Sequence, residues 1–198
     1  MVNHSSQNIF LTGKAGTGKT TFLKYIKENC SKQTAVIAPT GVAAINAGGT
    51  TIHSFFQLPF SPFIPCNNSD SNAGTETVNK QSLLGRIKMN NEKRKVLELL
   101  ELLIIDEISM VRCDMLDAID TLLRHFRSRN YEPFGGVQLL MIGDMHQLPP
   151  VINDSEWKIL SQFYDSPYFF SSKVILENAP AFISFEKIYR QSDEQFIR

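Results

Sequence analysis

Gly13-Lys14-Ala15-Gly16-Thr17-Gly18-Lys19-Thr20 matches the pattern GxxxxGK[ST] in full. Glycines at these places let a backbone close around a phosphate with its N–H groups turned inward. The lysine then reaches the outer phosphates and the neighbouring hydroxyl meets Mg²⁺. Gly13, Ala15, Gly16, Thr17, Gly18, Lys19, Thr20 and Thr21 are therefore expected to hold the phosphates of ATP, with Thr20 on Mg²⁺. The plainer alternative is a glycine-rich turn that binds nothing. It fits poorly, because an apolar strand precedes the motif and a helical pattern follows it.

A phosphate cradle only binds; hydrolysis needs a carboxylate to orient the metal and a group to activate water. Leu102-Leu103-Ile104-Ile105-Asp106-Glu107 offers both at the end of an apolar run. Asp106 is expected to hold Mg²⁺ through water, and Glu107 to act as general base. Taken alone, the pair also reads as solvated acids capping a strand. A second apolar run, Leu139 to Ile142, ends in Gly143-Asp144-Met145-His146-Gln147. The Gln147 amide both donates and accepts, so it suits contact with a γ-phosphate or an attacking water. Arg190 near the end of the sequence is a candidate for the guanidinium that stabilises transferring phosphate, although an isolated arginine is more often a surface group.

The elements that must position these groups alternate. Strands are predicted at Asn8–Leu11, Thr34–Ala38, Leu102–Ile105, Val137–Ile142 and Ala181–Phe185, as near-continuous apolar runs. Helices are predicted at Thr20–Glu28, Val42–Ala47, across Leu83–Leu100 and at Met115–Phe126. Residues 57–82 carry three prolines and an Asn/Ser run, and read as a long loop or insertion. Strand–helix alternation with fully apolar strands predicts an α/β fold, a parallel sheet of five strands or slightly more covered on both faces.

Bulk properties exclude other classes. With 198 residues, 42% hydrophobic, the chain suits one domain. Lys and Arg balance Asp and Glu at 20 each, so a nucleic-acid surface must be local. Cys30, Cys66 and Cys113 lie in no CxxC spacing, which argues against a disulfide framework or zinc site and for a reducing compartment. No apolar run approaches the ~20 residues that span a bilayer, and no signal-peptide pattern opens the sequence. The expected location is the cytoplasm of a bacterium, or the nucleus or mitochondrion of a eukaryote.

The ordered set GKAGTGKT, APTGVAAINAGGTTIHSFF, LLIIDEISMV, PFGGVQLLMIGDMHQLPPV and EKIYRQSD resembles the PIF family of 5′-to-3′ DNA helicases, in superfamily 1 and related to RecD-type helicases. The resemblance runs from Asn8 to Asp193, and Pro133–Val151 is its most specific part. It implies a RecA-like fold with the Leu139–Ile142 strand between the phosphate-loop strand and the Asp-Glu strand. It implies that Lys19, Thr20, Asp106, Glu107, Gln147 and Arg190 surround ATP-Mg²⁺. It also implies that Pro39, Thr40, Gly41, Thr51, His53, Ser54 and Phe55 lie along single-stranded DNA, with forks or duplex junctions as substrates and a monomer as the acting form. On this reading residues 1–198 are the first motor domain of a helicase, and the second is absent from this chain. Alone it is expected to bind nucleotide, hydrolyse it feebly and unwind nothing.

The residues by themselves offer two DNA-facing features. Lys80, Arg86, Lys88, Lys93, Arg94 and Lys95 form a basic stretch that could meet phosphates or simply be solvated. Phe55, Phe56, Phe60 and Phe63 could stack bases or fill a core. Two rival readings stay open at this point. One is a ring-forming AAA+ type loader, which needs a helical lid domain. The other is a non-catalytic module that binds DNA or protein, which the intact Lys19, Asp106 and Glu107 disfavour.

Overall fold

A computed structural model describes residues 2–66 and 76–189. Its centre is a sheet of six parallel strands: β1 (Ile9–Gly13), β2 (Thr34–Ala38), β3 (Thr50–Thr51), β4 (Leu102–Ile105), β5 (Gln138–Gly143) and β6 (Ala181–Phe185). Their order is β3-β2-β4-β5-β1-β6. Thus β5 lies between β1 and β4, where the resemblance placed it. A sixth strand joins the five located in the sequence: β3, only two residues long, shows no sequence period.

Apolar continuity in the central strands has a direct cause. All four residues of β4 and all six of β5 are buried. Side chains alternate between faces, so each strand feeds two cores. Leu103, Ile105, Leu139 and Met141 join one cluster; Leu102, Ile104, Leu140 and Ile142 join the other. The first is closed by α6 (Cys113–Phe126), with α4 (Lys80–Arg86) and α5 (Asn91–Leu99) beside it. The second is closed by α1 (Lys19–Asn29) and by Ala47 at the end of α2 (Gly41–Ala47). Edge strand β6 instead alternates half-buried and exposed residues.

The helical stretch expected across Leu83–Leu100 is two helices. Ile87 and Met89 both turn into the core, which a continuing helix would not allow, and the Asn90 side chain then caps α5 by accepting from Lys93 N–H at 2.9 Å. Within the expected loop of 57–82, a bridge joins Phe63 to Val78 and α4 already begins at Lys80. Residues 67–75 of that loop lie outside the described residues. Three short helices had no sequence signal strong enough to predict: α3 (Ile52–Phe56), α7 (Asp154–Leu160) and α8 (Lys173–Glu177).

One guanidinium ties the two long helices of this layer together. Arg127, just past α6, donates to the carbonyls of Leu97, Glu98 and Leu100 at the end of α5, at 3.0, 2.7 and 2.6 Å. Its Nε donates to Gly135 O at 2.7 Å.

Candidate functional site

Because every strand is parallel, the carboxyl ends of β1, β2, β4 and β5 share one edge of the sheet, where open α/β sheets bind ligands. The phosphate loop leaves β1 there. Gly13 is required by close approach: a Cβ would sit 2.7 Å from Thr17 Oγ1 and 2.8 Å from Phe185 O. Gly18 precedes α1 at φ 92°, a left-handed conformation that favours glycine. The Lys19 ammonium is held inside the loop by the carbonyls of Gly13 and Lys14. Thr17 is buried, and its hydroxyl donates to Lys14 O at 2.9 Å, so it shapes the loop. Thr20 and Thr21 stand exposed on the first turn of α1.

Asp106 and Glu107 leave β4 at the same edge. The Asp106 N–H extends the ladder to Ile37 O at 2.9 Å. Glu107 then takes a left-handed conformation, φ 51° and ψ 45°, and the chain turns into a short 3₁₀ segment, Ile108–Met110. Asp106 Oδ1 accepts the Glu107 N–H at 3.0 Å. Burial raises the Asp106 carboxyl above its ordinary range, opposed by that N–H and by Lys19. Burial also raises Glu107, and the charges of Asp106 and Asp144 add to it against Lys19. A raised carboxylate is a stronger base, as water activation requires. The Thr20 hydroxyl and the Asp106 carboxylate are hard oxygen donors of the kind Mg²⁺ prefers, so the residues present fit that ion.

The third strand end adds a residue the sequence reading left without a role. Asp144 follows β5, is only 5% exposed, and organises the turn that carries Gln147. Its Oδ1 accepts His146 N–H at 3.0 Å, its Oδ2 accepts Gln147 Nε2 at 3.0 Å, and its carbonyl accepts Gln147 N–H at 3.0 Å. Burial works to raise this carboxyl, but the two side-chain-directed bonds, with Lys19 and His146, bring it below its ordinary range. An acid directly after a buried strand, beside the phosphate-loop strand, was the available signal. Arg190 lies outside the described residues. Its neighbour Tyr189 donates its N–H to Gly16 O at 2.9 Å, so the chain beyond β6 reaches the phosphate loop.

The residues expected along DNA divide. Pro39, Thr40 and His53 line one cleft of about 400 Å³, with Phe60, Met115 and Val151 among its other walls. The Thr40 and Thr51 hydroxyls are spent as helix caps, accepting Ala43 N–H and Ser54 N–H at 3.2 Å each. Gly41 and Ser54 are exposed, and Ser54 O accepts Lys93 Nζ at 2.9 Å. Phe55 packs against the core, edge-on to Phe56. Of the four candidate stacking phenylalanines, Phe56 and Phe63 are buried, while Phe60 is 82% exposed. The basic stretch is partly engaged within the chain: Arg86 pairs with Glu76 at 2.6 Å, Lys93 binds Ser54 O, and Arg94 lies over the Phe126 ring.

This arrangement is matched in known proteins. The family model described as PIF1-like helicase covers residues 1–194. The human ATP-dependent DNA helicase PIF1 is 37% identical over 96% of this chain, and the Saccharomyces cerevisiae protein of the same name is 34% identical over 98%. The chain spans only 26% and 20% of those two relatives. Among solved structures, Bacteroides Pif1 in complex with ADP-AlF3 and single-stranded DNA superposes with a TM-score of 0.84 at 46% identity, covering 98% of this chain and 42% of that one. Candida albicans Pif1 gives 0.73 at 34% identity, covering 97% and 39%. With the loop, the acidic pair and the glutamine turn sharing one sheet edge, and with the family model matched almost end to end, the chain belongs to the PIF1-like helicase family.

Proposed function

We propose that this chain is the ATP-hydrolysing motor domain of a 5′-to-3′ DNA helicase, and that Lys19, Thr20, Asp106, Glu107, Gln147 and Arg190 serve the nucleotide. One observation carries the reading: a complete phosphate loop, a metal-orienting acid, a raised carboxyl for water activation and an anchored glutamine emerge at a single sheet edge. Lys19 exchanges its carbonyl partners for phosphate oxygens. Thr20 directly and Asp106 through water would hold Mg²⁺. Glu107 takes the proton of the attacking water.

Single-stranded DNA is the proposed track, over Pro39–Gly41 and Thr51–Phe55. Support comes from the cleft that Pro39, Thr40 and His53 share, and from a neighbour at 46% identity solved with single-stranded DNA. Another neighbour is described as two coordinating Pif1 helicases at forked DNA, so the expected monomer is not carried forward. Unwinding belongs to the longer protein that the relatives represent. Among the described residues no helix is long and apolar enough to cross a membrane.

The test is nucleotide titration and turnover, with and without a single-stranded oligonucleotide. Lys19→Ala should abolish ATP binding. Unchanged affinity would refute the phosphate-loop assignment. Turnover indifferent to DNA, with no DNA binding at low salt, would refute the DNA assignment.

A further inference from the structure

Phe60 is a large aromatic side chain 82% exposed at the mouth of the cleft. It is nevertheless held in place, since its ring stacks on His53 with centroids 4.6 Å apart and planes 21° from parallel. Among the described residues no second ring lies against its other face. Behind it the walls are apolar, including Leu58, Met110 and Met115. The volume of about 400 Å³ falls within the ~300–1,000 Å³ of small-ligand sites.

The charge inside decides what enters. Among the described residues, Arg112 is the only lysine or arginine lining the cleft. Its guanidinium is already committed, donating to Asp114 at 2.8 and 2.6 Å and pairing with Glu156 at 3.3 Å. Asp114 is further fixed by the Phe63 N–H at 2.9 Å. Two carboxylates against one guanidinium leave the interior with one excess negative charge. Burial, and Arg112 next, lower the His53 pKa against the opposing pull of Asp114, which disfavours a compensating positive charge on the imidazole. A phosphate would be repelled. An uncharged aromatic ring, whose amino groups can donate to the Glu156 carboxylate, would not.

We propose that this cleft is a nucleobase pocket, in which one base of a single strand turns away from the backbone path and stacks on the free face of Phe60. The inference rests on the DNA reading above and deepens it. Backbone contacts lie outside the cleft and set the salt dependence of binding. The pocket adds affinity that does not depend on salt.

The experiment uses single-stranded oligonucleotides carrying 2-aminopurine, or an abasic site, at successive positions. With the wild-type chain, one position should lose 2-aminopurine fluorescence by stacking, and an abasic site there should weaken binding. Phe60→Ala should weaken binding roughly 5- to 150-fold, the range of a lost base–aromatic stack. The slope of log affinity against log salt should not change, whereas loss of a phosphate contact would reduce it by about one. Phe60→Trp should restore both affinity and quenching. If DNA binds but Phe60→Ala has unchanged affinity and no position is quenched, the pocket is overturned while the DNA reading stands. If wild-type protein fails to bind DNA even at low salt, the DNA reading itself falls.

Discussion

Glu107 is a non-glycine residue at φ 51°, a conformation with a real energetic cost that clusters at functional sites. The turn swings its carboxylate out of the strand line beside Asp106, and partial burial then raises its proton affinity. In its proposed role as base it must be ionised. Turnover should therefore fall as pH drops through a midpoint above that of an ordinary glutamate, as a pH profile of kcat would measure. Glu107→Gln should keep ATP binding, cut turnover by about 10²–10⁴, and remove that acidic limb. Asp144 acts one step away, through Gln147. Asp144→Ala releases the Gln147 amide, and should lower kcat about tenfold, the worth of one charge-assisted hydrogen bond, with little change in KM for ATP. A matching loss in KM instead would make Asp144 a structural support of the nucleotide pocket.

At the scale of elements, the joint between α5 and α6 is the most exposed to a single change. Four carbonyls converge on Arg127, and a planar guanidinium can serve them together where an ammonium cannot. Arg127→Met should cost about 2–4 kcal/mol, read as a lower urea midpoint at unchanged slope. Arg127→Lys should recover only part of it. This joint was invisible in the sequence, because its partners lie in separate elements and nothing in a lone arginine's context announces carbonyl partners. Central strands were legible for the opposite reason: burial on both faces forces an apolar run such as Leu102–Ile105. The helix break at Ile87–Asn90 was not, since Leu83, Ile87 and Leu97 would fall within about 80° of one another on one continuous helix. Short α3, α7 and α8 depend on caps and tertiary packing more than on period.

Across the whole molecule, the shared edge that carries the proposed nucleotide site was legible because its residues cluster in contiguous motifs whose spacing suits phosphate and metal geometry. Lys19, Asp106, Glu107 and Gln147 all reach the predicted edge. The cleft was not legible. Its walls come from the turn after β2, from α3, the segment before residue 66, α4, α6 and α7, and its charge depends on the pairing of Arg112 with Asp114 and Glu156. A row of lysines and arginines suggested a basic DNA surface, whereas several of them turn out to hold the chain together.

The bond from the Tyr189 N–H to Gly16 O has a mechanical meaning. The peptide that accepts it belongs to the loop that must rearrange around a triphosphate. The peptide that donates it lies on the chain's way out of the last strand. A shift of the Gly16 peptide on nucleotide binding would therefore act directly on the backbone at Tyr189, without passing through the sheet.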